Sequence, residues 1–394
     1  MFRPALARKE NIMTNPWYRR LVAIGCSLLL IGFGTVSSQD DAAYDAWLEQ
    51  AQLGPYQPAE EDWDAILEAA REEPPLTFYV ATSRALGATD RFNERYGLNV
   101  EAINLGTNDL IERVRREWDA GLRNAGLIMV GNPALFQEAL LSRNAVTRYV
   151  PRELEAVMDP IETEPLLRHR YSVGTWYYST DGDPAVVPYE NLWELTTEPW
   201  RNRVATTDPL SSSTILMYFT AVVSNADQMA QMYEDYFGEP IELTTENAGY
   251  EFIKRLLDND VRIVSAQRDV AEAVSVATGN FAGMGTQSLY RLVQEGTYDF
   301  TLDTTVNPVV RTFQWIGIGS YTESPNQAKL LLDWLMSQEG GAPWWAADFA
   351  VNPLVDPTDG FDLRMADFAQ VWEPTVDEMV ELSDDLIDFF LLYR

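Results

Sequence analysis

The stretch LTFYVATSRALGATDRFNERYGLNVEAINLGTNDLIERVRREWDAGLRNAGLIMV, residues 76–130, decides the fold class. The segments Leu76–Val80, Leu98–Ile103 and Leu127–Val130 have the length and composition of β-strands, and helix-forming segments separate them. Strands that alternate with helices along a chain usually pair in parallel. The stretch therefore predicts an α/β fold with a parallel sheet.

The same alternation continues through the second half of the chain. Strands are predicted at Ser172–Ser179, Arg203–Thr207, Phe281–Met284 and Val309–Gly319. A chain of 394 residues is long enough for two domains of this kind. We therefore expect two α/β units rather than one.

The N-terminus has the pattern of an export signal. Arg19 and Arg20 precede the apolar run Leu21–Phe33, and small residues follow it. The apolar run is short for a membrane-spanning helix. We expect residues 1–38 to be a signal peptide and 39–59 to be an N-terminal linker. Lipid attachment at Cys26 is a secondary alternative, because most of the apolar run follows the cysteine.

The charge balance excludes one class of partner. The chain has 29 basic and 60 acidic residues, for a net charge of −31. Such a protein is repelled by phosphate backbones and anionic lipid surfaces. We therefore expect no nucleic-acid partner.

The inventory of reactive residues argues against an enzyme. Cys26 is the only cysteine and lies in the predicted signal, and His169 is the only histidine. The chain has no G-x-S-x-G, H-E-x-x-H or P-loop motif. We expect no cofactor and no metal. A hydrolase based on a carboxylate pair stays open as an alternative, because acidic residues are abundant.

Four segments in a fixed order resemble one family of proteins. They are WDAILEAAREEPPLTFYVATS (63–83), YENLWELTTEPWRNRVATTDPLSSST (189–214), WIGIGSYTESPNQAKLLLDWLMSQEGG (315–341) and FAVNPLVDP (349–357). The series is similar to periplasmic solute-binding proteins of ABC transporters, of the ferric-iron, thiamine, phosphonate and polyamine type. The resemblance covers nearly all of the chain after the predicted signal.

This resemblance implies a two-lobed type II periplasmic-binding-protein fold. Two α/β lobes would be joined by two hinge strands, with Ser172–Ser179 and Val309–Gly319 at the hinge positions. Lobe one would comprise 60–174 and 310–394 with the C-terminal helices, and lobe two 175–309. The expected protein is a periplasmic monomer that captures a small polar solute between the lobes, with anions among the expected solutes, and delivers it to a membrane permease.

Ligand residues are expected where strands end and helices begin. Helix N-termini there offer N–H donors and a partial positive charge, and an arginine can bind a carboxylate or phosphate with two hydrogen bonds. The fold implied by the resemblance adds an aromatic residue on the hinge strand and a fourth segment after residue 284. The candidates are Ser83, Arg84, Asn132, Trp176, Ser211, Ser212, Ser213, Gln287 and Tyr290.

Iron is an alternative ligand. The iron-binding members of the family use an adjacent tyrosine pair at the segment matching Gly285–Tyr290, and this chain has only Tyr290 there. The sequence therefore favours a small organic solute. A sensory ligand-binding module would share the same fold and cleft, so the sequence leaves this alternative open.

Overall fold

The structure is a computed structural model that describes residues 37–356 and 362–393. The predicted signal peptide falls almost entirely outside the described residues, as does Cys26. The strands within these ranges are β1 (Leu76–Val80), β2 (Val100–Asn104), β3 (Leu127–Val130), β4 (Val146–Thr147), β5 (Leu167–Ser179), β6 (Val204–Thr207), β7 (Arg262–Val264), β8 (Phe281–Thr286), β9 (Thr301–Leu302), β10 (Val309–Gly319), β11 (Phe349–Ala350) and β12 (Val371–Trp372).

The helices of the described residues lie between these strands and on either side of them. They are α1 (Ser37–Ala51), α2 (Trp63–Glu72), α3 (Arg84–Tyr96), α4 (Thr107–Asp119), α5 (Pro133–Ala139), α6 (Arg152–Glu155), α7 (Pro160–Thr163), α8 (Ser213–Ser224), α9 (Ala226–Phe237), α10 (Ala248–Asp258), α11 (Gln267–Ser275), α12 (Arg291–Gln294), α13 (Pro325–Met336), α14 (Ala342–Trp345) and α15 (Val376–Tyr393). Short 3₁₀ turns lie at Gly54–Tyr56, Leu141–Arg143, Leu192–Thr196, Glu198–Trp200, Gln287–Tyr290 and Met365–Asp367.

Local sequence explains where several helices begin and end. The carboxylate of Asp62 accepts a hydrogen bond from the backbone N–H of Ala65, 3.0 Å away, which caps the start of α2. Helix α3 ends at Gly97 in the left-handed region, a conformation that glycine adopts without steric cost. In α4 the apolar side chains Leu110, Ile111 and Val114 share the buried face, while the other face is charged.

The strands form one continuous sheet with the order β2-β1-β3-β10-β5-β8-β6-β7. The pairs β1–β2 and β1–β3 are parallel, and so are β6–β7 and β6–β8. The long strands β5 and β10 pair antiparallel in the middle. β10 also pairs with β3 on one side, and β5 pairs with β8 on the other. The two central strands therefore join two parallel half-sheets, which we call lobe one (β1–β3 side) and lobe two (β6–β8 side).

Each lobe has its own apolar cores. The cores of lobe one form on the two faces of β1 and β3, with Phe78 and Leu127 in one and Tyr79 and Ile128 in the other. In lobe two, α8 is buried on nearly all sides because it packs between the sheet, α10 and α15. The alternation of strand and helix therefore produces the two α/β units expected from the sequence.

The C-terminal helix differs from the expected division of the chain, which assigned all of 310–394 to lobe one. Met379, near the start of α15, is buried in a core of lobe one. Leu386 and Phe390, about two and three turns further on, are buried in the core of lobe two. The ring of Phe390 lies 5.0 Å from that of Phe219. α15 therefore spans both lobes, because its apolar stripe changes partner along its length.

Part of the segment expected as an N-terminal linker, 39–59, packs on lobe one. Leu48 and Leu53 are buried in a core of lobe one. The backbone carbonyl of Ala51 accepts a hydrogen bond from Nζ of Lys329, 2.5 Å away. Most of helix α1 (Ser37–Ala51) lies within this segment.

None of the helices in the described residues combines the length and apolar character needed to cross a membrane.

Candidate functional site: the interlobe cavity

A cavity of about 190 Å³ lies between the two lobes, above the central strands β5 and β10. Lobe one, lobe two and the central strands all contribute to its walls. The lining residues are Ala81, Thr82, Arg84, Gly131, Asn132, Arg170, Ser172, Ser213, Thr214, Met217, Thr286, Ser288, Thr312, Phe313, Gln314 and Asp348. A solute in this cavity would contact both lobes at once, which is the geometry that couples binding to lobe closure.

Three charged side chains meet at the base of the cavity. Oδ2 of Asp348 lies 2.6 Å from Nη1 of Arg84 and 3.0 Å from Nε of Arg170. Arg170 is almost fully buried and donates from Nη1 to Oε1 of Gln314, 2.7 Å away. Burial lowers the pKa of Arg170 to about 10, so it remains a cation at neutral pH. Two cations and one anion leave a net charge of +1 among the lining residues, in a chain whose net charge is −31.

The carboxylate of Asp348 is held from several directions. Its Oδ1 accepts hydrogen bonds from Oγ of Ser172 (3.0 Å) and from Nε2 of Gln287 (3.2 Å). With Arg84 and Arg170 on Oδ2, both oxygens are engaged. Since a carboxylate has about four lone-pair positions, Asp348 has little capacity left for a ligand. Its role is to fix the two guanidinium groups.

Helix N-termini face the cavity from both lobes. α8 of lobe two begins at Ser213, and Ser212 before it makes no side-chain cap. The first amides of an α-helix have no partner within the helix, so those of α8 are donors for an anion. In α3 of lobe one the first amides are already used, because those of Arg84 and Ala85 donate to atoms of Thr82. Lobe two therefore supplies amide donors opposite the guanidinium of Arg84.

Comparison with known proteins places this geometry in a known fold. No protein-family model matches the sequence, and no curated protein is significantly similar to it. The ferric binding protein from Campylobacter jejuni has a TM-score of 0.62 over 81% of this chain and 99% of its own, at 12% identity. The substrate binding protein of the ABC transporter from Agrobacterium tumefaciens gives 0.61 over 84% and 97%, at 16% identity.

A third solved structure is similar to the same degree. It is a Trichodesmium protein in complex with iron and citrate ligands, with a TM-score of 0.57 over 81% of this chain and 99% of its own, at 13% identity. The chain has the two-lobed type II periplasmic-binding-protein fold. The fold expected from the sequence is therefore confirmed, and β5 and β10 are its two central connecting strands.

Within this type II fold, three of the predicted ligand residues line the interlobe cavity. Arg84 and Asn132 approach from lobe one, and Ser213 approaches from lobe two. Oγ of Ser213 lies within 3.7 Å of the position that a β-carbon on Gly131 would take, so the lobes meet closely here. Asn132 also caps α5, because its Oδ1 accepts from the N–H of Leu135 at 3.3 Å.

The other predicted ligand residues lie outside the lining. They are Ser83, Trp176, Ser211, Ser212, Gln287 and Tyr290. Ser83 is exposed, and Oγ of Ser211 donates to the carbonyl of Asp208. Oγ of Ser212 accepts from Nε2 of Gln267 at 3.2 Å. These three serines therefore lie near helix starts without lining the cavity.

Trp176, Gln287 and Tyr290 are held by packing. Trp176 is buried in lobe two, where its Nε1 donates to the hydroxyl of Tyr218 at 2.8 Å. Tyr290 packs in a core of lobe two beside Phe300. Gln287 is fully buried directly behind the cavity wall, where its Oε1 accepts from the N–H of Val173 at 2.6 Å. Its Nε2 reaches Asp348, so Gln287 supports the charged cluster without lining the cavity.

Sequence reasoning missed Arg170, Ser172 and Asp348. A signal for Arg170 was present, because an arginine in a strand buried on both faces requires a partner. Ser172 gave a similar signal, because its polar side chain lies at the start of the mostly buried predicted hinge strand. Asp348 gave no signal, because acidic residues are common throughout this chain.

His169 is placed where it cannot serve as a general base for a serine. Its ring stacks on Trp345 with centroids 5.2 Å apart and meets Trp344 edge-on at 5.0 Å. Its Nε2 lies 3.1 Å from the carbonyl of Leu335. Burial lowers its pKa to about 3, so the ring is neutral. The one histidine of the chain is a core residue.

The described residues contain no group of three or more His, Cys, Asp or Glu side chains arranged to hold a metal ion.

A second cavity of about 310 Å³, the lobe-one cavity, lies beneath the segment that follows α1. Its charged lining residues are Glu60, Glu61, Asp62 and Lys329. Lys329 is buried, and burial lowers its pKa to about 8. On the same helix, burial and the carboxylates of Glu153 and Glu61 raise the pKa of Asp333 to about 6.

Proposed function

We propose that this protein is an extracytoplasmic solute-binding protein that captures a small anionic solute in the interlobe cavity and delivers it to an ABC-importer permease. The observation that carries this proposal is the net positive charge of the cavity, where the chain as a whole is strongly acidic. The type II fold and the contribution of both lobes to the cavity support it. The resemblance in sequence and the names of the similar solved structures point to the same class.

The mechanism follows from the position of the charged cluster. A ligand anion would meet Arg84 from lobe one and the first amides of α8 from lobe two. Only a conformation with the lobes together lets both act on one ligand, so ligand shifts the protein toward that conformation. The permease would then recognise the closed form. The periplasm is the compartment in which such a protein works.

A ligand screen by thermal unfolding tests this function. The purified protein is heated with carboxylates, sugar phosphates, phosphonates, thiamine, polyamines or Fe(III). A ligand at a hundred times its Kd stabilises the folded state by about 2.7 kcal/mol, which gives a rise of a few degrees in Tm. We expect small anions to raise Tm and cations to leave it unchanged. A protein that none of these compounds stabilises would contradict the proposed function.

Iron is distinguished in the same screen. The iron alternative is supported only by the names of several similar structures. In this chain, segment 285–290 carries a single tyrosine, and the ring of that tyrosine packs against Phe300. Fe(III) with and without citrate should therefore produce no coloured complex and no change in Tm beyond that of citrate alone. A rise in Tm and a visible charge-transfer band with Fe(III) would favour the iron alternative.

A further inference from the structure

The charge of the interlobe cavity limits the charge of the solute. Arg84 and Arg170 are its cations, and Asp348 is its anion. Because both oxygens of Asp348 are already engaged by Arg84, Ser172 and Gln287, it acts as a fixed counter-charge and not as a partner for a ligand cation. One positive charge is therefore left to be matched by the ligand.

The two arginines are not equally available. Arg170 is almost fully buried, and its Nη1 is committed to Gln314. The side chain of Arg84 keeps 24% of its surface exposed, and its Nη1 lies on Asp348. Since a guanidinium has five N–H donors, Arg84 can hold Asp348 and a ligand oxygen together. The ligand anion is thus expected at Arg84.

The remaining polar wall is neutral. It consists of hydroxyl and amide side chains, among them Thr82, Ser213, Thr214, Thr286 and Thr312. A hydroxyl both donates and accepts, so these groups match ligand hydroxyls better than they match a second anionic group, which only accepts. A second ligand charge would be enclosed without a counter-charge, at a large desolvation cost. The net charge of −31 on the chain also disfavours the entry of multiply charged anions.

We propose, building on the function proposed above, that the solute is a small monoanionic hydroxycarboxylate and that Asp348 determines this preference. The carboxylate binds at Arg84 and the first turn of α8, and the hydroxyls of the ligand bind the threonines and serines of both lobes. Asp348 cancels one of the two arginine charges and thereby discriminates against dianions such as dicarboxylates and phosphate esters.

Matched pairs of acids test the preference directly. Titration calorimetry at pH 7 compares glycerate with tartronate, threonate with tartrate, and gluconate with glucarate, each pair differing by one CH₂OH replaced with a carboxylate. Butyrate is the partner of threonate that lacks hydroxyls. We expect at least one monoanion to bind ten times or more tighter than its dianionic match, and threonate to bind at least tenfold tighter than butyrate.

Substitution of the counter-charge should reverse the preference. In Asp348→Asn the cavity carries two positive charges, so the dianion of a pair should gain tenfold or more relative to the monoanion. Asp90→Asn, at an exposed site on α3, removes the same charge and should keep the wild-type ratio. If Asp348→Asn does not fold, Arg84→Gln leaves Asp348 paired with Arg170 and makes the cavity neutral. In that variant, monoanions should lose their advantage over the uncharged glyceramide.

The outcomes separate the two proposals. Tighter binding of a dicarboxylate, a phosphate ester or a non-hydroxylated acid by the wild-type protein overturns the monoanion inference and leaves the function standing. A dianion-to-monoanion ratio that is the same in wild type and Asp348→Asn overturns the role of Asp348. A protein that binds none of the solutes in this series or in the thermal screen contradicts the proposed function itself.

Discussion

Two cavities of this protein each border a buried cation, and their surroundings differ. In the interlobe cavity, Arg170 and Arg84 outnumber the one carboxylate, and both lobes supply neutral donors. In the lobe-one cavity, three carboxylates line the wall beside Lys329, whose Nζ is committed to the carbonyl of Ala51. The lobe-one cavity is the larger of the two. The proposed binding site is therefore the smaller of these two cavities.

The difference shows what a ligand site needs in this fold. Closure can act on a ligand only where both lobes reach it, and the lobe-one cavity is built from lobe one and the segment before it alone. The ammonium of Lys329 already has a backbone acceptor, the carbonyl of Ala51, and this hydrogen bond attaches the N-terminal segment to α13. The interlobe cavity retains donors that the protein itself does not use. The predictions below separate these two roles, beginning with the largest effect.

Removal of Arg84 should abolish most of the ligand affinity. Arg84→Ala deletes the partly exposed guanidinium of the interlobe cavity, so the Kd of the best solute should rise about a hundredfold, or about 2.7 kcal/mol. Titration calorimetry measures this change. Arg95→Ala is the matched control, because Arg95 lies on the same helix and pairs with the exposed Glu339. Equal losses in both variants would show that the interlobe cavity is not the site.

Neutralising Asp333, beside the lobe-one cavity, should stabilise the protein. The raised pKa means that the folded state takes up a proton between pH 3.8 and about 6 before the unfolded state does. Wild-type stability therefore falls as the pH rises through this window. Asp333→Asn should raise the free energy of unfolding by about 2 kcal/mol at pH 7 and by much less at pH 4.

Denaturant unfolding at the two pH values checks the Asp333 prediction. Asp90→Asn removes an exposed charge of the same sign and should change the free energy of unfolding by less than about 0.5 kcal/mol. A gain for Asp333→Asn that is as large at pH 4 as at pH 7 would contradict the electrostatic origin. The ligand affinity should stay unchanged, because Asp333 does not line the interlobe cavity.

Lys329 should give the opposite pH dependence. Its folded pKa of about 8 lies below the ordinary value of 10.5, so the unfolded chain binds more protons between these values. Wild-type stability therefore rises with pH across this window. In Lys329→Met that rise should be lost, a difference of about 1 to 2 kcal/mol between pH 7.5 and 9.5. Unfolding curves at both values measure it.

The chain provides a control for Lys329 in Lys254. Lys254 pairs with Asp258 one turn away on α10, and this contact raises its pKa instead of lowering it. Lys254→Met should therefore keep the wild-type rise in stability above pH 8. If both lysine variants lose the rise equally, its source is not the buried amine of Lys329.

The smallest expected effect compares two neighbouring serines. Ser213 lines the interlobe cavity, while Oγ of Ser211 bonds to the carbonyl of Asp208. Ser213→Ala should weaken solute binding about fivefold, or about 1 kcal/mol, and Ser211→Ala should leave it unchanged. Calorimetry with the same solute distinguishes them. A larger loss in Ser211→Ala would show that the ligand sits further toward the start of α8.

Much of the fold could be predicted, because it depends on local patterns. The bounds of β1, β3 and β10 agree residue for residue with the apolar runs of the sequence. Helix starts are harder to predict: α3 begins at Arg84, and no capping side-chain hydrogen bond marks that start. The sequence could not predict that α15 spans both lobes. The apolar stripe of a helix shows which residues will be buried but not which core will receive each of them.

The candidate site was only partly predictable. Arg84, Asn132 and Ser213 follow strands at the expected edge of the sheet, and the structure brings them together from both lobes. Trp176 lies on the connecting strand as expected, but its side chain points into lobe two. The alternation of side chains along a strand does not by itself tell which face of the sheet Trp176 occupies. The contact with Tyr218 in lobe two decides it.

The sequence by itself determined the alternation of strands and helices, the excess of acidic residues and the absence of a cysteine–histidine chemistry, because these are properties of composition and short-range order. Tertiary structure decided the charge of the site. Arg84, Arg170 and Asp348 are far apart along the chain, and only the folded structure brings both guanidinium groups within 3.0 Å of the Asp348 carboxylate. Electrostatic interactions depend on distance in space, so a chain with a net charge of −31 can still enclose a cavity that is positive.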